Sequence, residues 1–491
     1  MNRCAGAAKL LERDRKELAI RALSGSETVS ALAGQHDVSR KFIYAQTRKA
    51  GAALDEAFPC GAPDEQVLFD LPVSRRWLNQ VQLALTMICR SSFRGVTEFM
   101  RDLLGVPISV GSVCNLHQWA AQQAAVINRT QDLAGIRVGL HDELFQGTQP
   151  VLAGVDAAST YCYLLAAEQH RDADTWGVHL LDASQQGLNP DYTIADAGRG
   201  LRAGQQAAWG DTPCHGDVFH IQHQCEVLIN TLNSLARGAR TRCRKLEARI
   251  AKGHVRDLGG NLAAQLERAC QGHARAHRLA CDVRTLTQWL SHDILALAGP
   301  DLATRMELFD FVVQELRRRE PQDARRIRRV RVALQNQRDD LLAFAGVLDA
   351  RLAAIAQTHA VAEPLVRAAF VLHRKPTTSP AYWQGWGRLC ASLGSQFNAV
   401  SSAVAQVMEQ TPRCSSLVEN LNSRLRTYFT LRRHLGSPYL GLLQFFLNHR
   451  RFMRSRKSAR TGRSPCELMT GQPHAHWLTL LGLGPLQPQR A

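Results

Sequence analysis

The sequence predicts an α/β protein built on one small mixed sheet, with helical segments before it and inserted into it. Three observations carry that reading. Between about 136 and 220, helical spacing gives way to short alternating apolar runs separated by turns. From 220 to about 412 no convincing strand occurs, and the first 131 residues read as two successive helical units. At 491 residues the chain is long enough for two to four domains.

Composition narrows the class. Hydrophobic content of 45% with 21% charged residues belongs to a folded chain. Sixty Lys and Arg against 43 Asp and Glu leave a formal net charge of +17, which favours a polyanionic partner, nucleic acid first. No apolar run of about 18 residues free of charge predicts a membrane span. The charged start "MNRCAGAAKLLERDRKELA" lacks the apolar core of a signal peptide, so a cytoplasmic, nucleoid-associated bacterial protein is expected. Thirteen cysteines without a CxxC pair read as reduced thiols. Cys214, His215, His220, His223 and Cys225 in "CHGDVFHIQHQC" match the spacing of no common zinc module.

Residues 1–54 read as a helix-turn-helix DNA-binding domain. "RDRKELAIRALS" is one amphipathic helix; Val29, Leu32 and Ala33 give the next a buried stripe, continued after a turn by Val38, Phe42 and Ile43. Ser39 is the expected N-cap of a last helix carrying Arg40, Lys41, Tyr44, Gln46, Arg48 and Lys49, the donors that a major-groove reader presents. Residues 55–70 read as a linker. A second helical, helix-turn-helix-like unit spans 71–131, with Ser109 or Ser112 capping its last helix; it fits a second reading head and a structural spacer equally well.

The sheet follows. "IRVGLHDELF", "PVLAGVDAAS" and "TYCYLLAAE" predict an antiparallel meander, "DADTWGVHLLDASQQ" a helix, "DYTIADAG" a strand, "GLRAGQQAAW" a helix and "PCHGDVFH" a last strand. This βββαβαβ order, closed by a further helix, is that of a ribonuclease-H-like mixed sheet. It assigns 132–220 and 413–450 to a catalytic domain, 221–412 to an all-helical insertion and 451–491 to a basic C-terminal tail. The insertion contains "RRREPQDARRIRRVR", eight arginines against two acids, read as a DNA backbone contact.

Three acids stand out on this frame. Period-two alternation puts Val138, Leu140 and Asp142 on one strand face and Glu143 on the other. Asp196 ends the fourth strand, the expected neighbour of the first. Asp156 competes with Asp142, but lies at the far end of the second strand. Glu419 sits on a helix whose apolar stripe is Val418, Leu421, Leu425 and Tyr428, and shares a polar face with Asn422 and Arg426. From Arg424 through Arg463 there are eleven Lys or Arg and no acid, including Arg450, Arg451 and Arg454, a pattern that follows a phosphate backbone. Three clustered carboxylates would repel one another without metal. Two Mg²⁺ (or Mn²⁺) ions would relieve that and serve in-line displacement at a phosphodiester.

With "HDEL", "VDAAST", "IADAGRGL", "GDVFHI", "VENLNSRLR" and the closing "NHRRFMRSRKSARTGRSPCELMTG" in this order, the chain resembles DDE-type transposases of bacterial insertion sequences. The resemblance implies a catalytic triad of Asp142, Asp196 and Glu419 flanked by Asp217 and His220. It also implies metal-dependent cleavage at element ends, strand transfer to target DNA by 3′-hydroxyl attack, and assembly as a homo-oligomer on double-stranded DNA. The long separation of Asp196 from Glu419 fits the subfamilies with a helical insertion. Arg426 matches the last basic residue of the Tyr–Arg–Glu–Lys signature, whose Tyr has no counterpart. Alternatives are a non-catalytic DNA-binding relative and a structure-selective nuclease of the same fold.

Overall fold

The computed structural model describes residues 10–58, 71–252, 261–431, 436–455 and 457–486. Most of the expected linker, and Arg432, Arg433 and Arg456 of the basic block, lie outside them. The chain divides into two compact units, 1–74 and 75–491.

The first unit holds α1 (Glu12–Leu23), α2 (Val29–Gln35) and α3 (Arg40–Ala57). Leu18, Leu32, Ala33, Val38 and Ile43 form its core. Asp37, at a φ of 44°, turns the chain between α2 and α3. Side chains then supply the helix starts: Thr28 accepts from the Ala31 amide at 3.2 Å and Ser39 from that of Phe42 at 3.1 Å.

The second unit opens with α4 (Arg75–Met87), α5 (Phe93–Leu104) and α6 (Val110–Thr130), the last capped by Ser109. Leu83 and Met87 of α4 and Ala120, Ala121 and Ala124 of α6 belong to the same core as the sheet. Asn128 donates to the Gly441 carbonyl at 2.9 Å. That face of α6 is thereby committed to packing, and these helices form a layer of the second unit.

One mixed sheet follows: β1 (Val138–Gln146), β2 (Gln149–Asp156), β3 (Cys162–Ala167), β4 (Tyr192–Ala195) and β5 (Cys214–Gly216), in spatial order β3-β2-β1-β4-β5. β1–β2 and β2–β3 are antiparallel, whereas β4 runs parallel to both β1 and β5. The last strand is shorter than expected, because Val218 already begins a helix. α7 (Ala173–Gln185) follows β3 and α8 (Arg199–Trp209) follows β4. Val138, Leu140 and Leu144 point into one core with α6. The opposite face meets Trp176, Leu180 and Leu201 of α7 and α8. Gly154 makes room for Tyr163, since a Cβ there would lie 2.4 Å from its ring. The Tyr163 hydroxyl meets His141 Nε2 at 2.7 Å, and burial pushes that imidazole down to about 3.

The insertion comprises α9 (Val218–Ala251), α10 (Asn261–Trp289), α11 (Leu302–Arg319), α12 (Ala324–Asn336), α13 (Arg338–Thr358), α14 (Glu363–Leu372), α15 (Pro380–Leu393) and α16 (Phe397–Glu409). It has its own all-helical core, from Val218 to Val404. α13 is long and apolar enough to cross a membrane, yet it buries Leu341, Leu342, Phe344 and Leu348 in that core. Buried Arg305 donates to the carbonyls of Ala296, Leu297 and Pro300, satisfying acceptors left beyond the end of α10.

α17 (Ser416–Leu431) and α18 (Ser437–His449) return to the sheet, followed by α19 (Pro465–Thr470). The expected basic tail is instead a folded part of the unit. Ser464 and Glu467 form a capping box on α19, and Trp477, Leu478, Leu481 and Leu483 are buried in the sheet core. Those apolar residues outweigh the surrounding charge.

Candidate active site

Sheet register brings two of the acids together. Leu140 of β1 pairs in parallel with Ile194 of β4, so Asp142 and Asp196 each follow two residues beyond on adjacent strand lines. Asp156 lies elsewhere: it is opposite Gly139, near the start of β1. Its carboxylate accepts from the amides of Ala158 and Ser159 and from the Ser159 hydroxyl, closing the β2–β3 turn.

Glu419 arrives from the first turn of α17, whose stripe of Val418, Leu421, Leu425 and Tyr428 is buried against the sheet. One turn on, Asn422 is 1% exposed and donates to Asp142 Oδ2 at 2.8 Å. Asn422, expected to touch DNA, therefore positions a carboxylate instead. The i, i+3, i+7 pattern gave a polar face but not which part of it packs. Arg426 is on the exposed side of the same helix.

Asp217 accounts for the long insertion. It caps α9, accepts from the Ser415 amide at 3.1 Å, and its own amide donates to the Ala195 carbonyl at 3.0 Å. The Ser415 hydroxyl bonds the same carboxylate. The two ends of the insertion are thus tied together beside the end of β4, and its length costs the site little in chain-closure entropy. Arg202 reinforces the joint: it donates to the Asp196 carbonyl at 3.1 Å and pairs with Asp340 of α13.

Asp217 also orients His220, whose Nδ1 lies 2.6 Å from Asp217 Oδ2. Donor atoms of Asp142, His220 and Glu419 all lie within 4.8 Å of one another. His220 was expected only to flank the site. The Asp-x-x-His spacing at a helix start is the sequence signal by which the two residues could have been paired. Asp196 stands next to this group but outside it. Its Oδ1 accepts from the Gly198 amide at 2.8 Å, and its other oxygen has no hydrogen bond among the described residues.

The groups of the cluster shift one another's protonation. Burial pushes the Asp142 carboxyl up to about 6; Glu419 and Asp196 push the same way, while His220 opposes them. The Asp217 hydrogen bond lifts His220 to about 9, against the effect of burial. Burial pulls Asp217 upward, but bonds from His220 and Ser415 outweigh it and hold its carboxyl below the usual range. Two carboxylates and an imidazole whose other nitrogen is held by a third carboxylate, that of Asp217, are a set of donors that could hold a divalent cation.

The remaining expected contacts separate. Arg40, Lys41, Tyr44, Arg48 and Lys49 are all exposed on α3. Arg454 is exposed, and half-buried Arg450 lies over the Phe446 ring at 5.6 Å. Arg451 pairs with Glu467 at 2.6 Å, which gives it a structural partner. Cys225 is buried in the helical core and His215 stacks on Tyr192 at 4.2 Å between ring centroids, so the cysteine–histidine stretch does not gather as a zinc site.

Fold and site together define an α/β protein, with one five-stranded mixed sheet among many helices and an acidic cluster beside its central strands β1 and β4. No family model matches the chain, and no curated protein does. Among solved structures, it is similar to the Drosophila P element transposase strand transfer complex, at 9% identity over 89% of this chain and 98% of that one, with a TM-score of 0.25.

Proposed function

We propose that this protein is a DDE-type transposase with a ribonuclease-H-like catalytic domain, cutting DNA at element ends and joining the freed 3′-hydroxyl to target DNA. The observation that carries the reading is the convergence of Asp142 and Glu419, with His220, on one point from a strand and a helix separated by the whole insertion. Asp196 stands on the neighbouring strand line. The β3-β2-β1-β4-β5 order supports the fold assignment, and the net charge of +17 supports a DNA partner.

Divalent ions at this cluster would activate the attacking oxygen and stabilise the leaving one. The chain's own residues hold that arrangement in place. Asn422 and the Glu143 amide fix the Asp142 carboxylate, at 2.8 Å each. Asp217 fixes the His220 ring, and α17 brings in Glu419. The exposed donors of α3 suit recognition of element ends, and assembly as a homo-oligomer on paired ends belongs to the same reading.

The test is cleavage of end-bearing DNA with Mg²⁺ or Mn²⁺. Glu419→Gln should abolish cutting while end binding is retained; retained cutting overturns the assignment. A nuclease of the same fold would cut but give no joined product from an oligonucleotide with a free 3′-hydroxyl.

A further inference from the structure

We propose that a groove between α9 and α12 is a track for single-stranded DNA leading into the acidic cluster. The inference rests on the proposed function, since it takes a DNA strand to be what the cluster acts on.

α9 starts at the site. From His220, the positions 223, 227 and 231 follow at helical spacing along one side, covering roughly 16 Å at 1.5 Å per residue. His223, Val227 and Thr231 line a cavity of about 410 Å³ whose other wall is Arg325, Arg329 and Val330 of α12. The groove's lining therefore begins about one turn of α9 beyond His220, the residue that meets Asp142 and Glu419.

Its two walls differ in chemistry. On the α9 side, Phe219 precedes the lining; it is 37% exposed and its ring lies nearly parallel to that of exposed His223, which lines the groove, at 10° with centroids 6.3 Å apart. Exposed aromatic rings beside a phosphodiester-cutting site are surfaces on which unpaired bases stack. On the α12 side, the arginine run is largely consumed by ion pairs: Arg318 and Arg319 with Glu315, Arg326 with Asp323, Arg331 with Glu320. Arg325 and Arg329 are exposed and have no acidic partner among the described residues. Of the arginines of the run without an ion pair among the described residues, Arg317, Arg325 and Arg329, the last two line the groove. Stacking rings on one wall and unpaired guanidiniums on the other are what a single strand needs, bases to one side and phosphates to the other.

The test uses the full-length protein with EDTA, so that binding is read without cleavage. Fluorescence anisotropy follows a labelled dT oligomer of about 15 nucleotides and, separately, a duplex of the same length. The double variant R325Q/R329Q should weaken single-strand binding about tenfold and lower the slope of log affinity against log salt by about 1.4, the value for two phosphates on a single strand. Phe219→Ala should weaken it about as much with the slope unchanged. Duplex binding should hold within about twofold, and unchanged thermal midpoints would show that the variants fold. An unchanged salt slope in R325Q/R329Q, or an equal loss on duplex, overturns the proposal. Because no metal or cutting enters this readout, loss of the catalytic assignment through Glu419→Gln would be seen independently of it.

Discussion

Asn422 Nδ2 donates to Asp142 Oδ2 at 2.8 Å from a helix 280 residues further along the chain. Asn422 and Asp142 are 1% and 6% exposed, so the bond is shielded from solvent. A helix that also carries Glu419 thereby fixes the rotamer of a strand carboxylate, and one element sets two members of the cluster at once.

Removing the amide leaves a buried carboxylate short of a donor. Asn422→Ala should cost about 1–3 kcal/mol of stability and weaken Mn²⁺ binding measured by calorimetry. Asn422→Asp should do worse without metal, because it adds a like charge beside a carboxyl already pushed up to about 6. Unchanged stability and metal affinity in Asn422→Ala would remove the residue from the site.

Asp142 and Asp156 should separate by opposite responses. Asp142 has a raised carboxyl in the folded state, so its favourable contribution is present below its ordinary value of 3.8 and is lost as pH rises through about 6. Asp142→Asn should flatten the fall in metal-free stability between about pH 4 and 6 and abolish metal-dependent cutting. Asp156→Asn should instead loosen the β2–β3 turn and leave metal binding intact. Urea melts across pH with a Mn²⁺ titration check both; loss of metal binding in Asp156→Asn alone would reverse the order of the two acids.

The strand and helix runs were legible because their apolar spacing is local: alternation in β1 and the stripe of α17 follow directly from which side chains are buried. The side-by-side placement of Asp142 and Asp196 could be argued from strand order. Other relationships could not. Asn422 reads as a surface amide until the sheet is laid beneath it. Arg451 reads as a phosphate ligand until Glu467, sixteen residues on, is seen to fold back to it. The C-terminal segment was masked by its charge, although Trp477, Leu478, Leu481 and Leu483 carry the apolar surface that anchors it. In each case the missing information is a long-range pairing, which sequence spacing does not encode.

The Asp217–His220 pair should leave a signature in alkaline stability. His220 is raised from 6.5 to about 9, so the stability it contributes is fully present below pH 6.5 and lost as pH rises through about 9. Asp217 is lowered, so its share is present above 3.8 and lost only in acid. Metal-free protein should therefore show a falling thermal midpoint from pH 6.5 to 9, and His220→Gln should flatten that fall. A fall of equal steepness in the variant would place its origin outside this pair.

The folded C-terminal segment gives the sharpest stability prediction. Trp477 is 2% exposed and meets Phe446 of α18 edge-on, with ring centroids 4.9 Å apart. Its neighbours continue into a backbone turn whose Leu483 carbonyl accepts from Gln80 of α4 at 3.0 Å. The segment thus bridges the helical layer and the sheet core. Trp477→Ala should cost about 3–5 kcal/mol in chemical denaturation, whereas Arg454→Ala, on the exposed part of the same C-terminal region, should change stability by less than about 0.5 kcal/mol. Arg454→Ala should also reduce the salt dependence of DNA binding if that arginine meets a phosphate. A Trp477→Ala loss below about 1 kcal/mol would mean that the segment is only loosely attached, and the tail reading from sequence would stand after all.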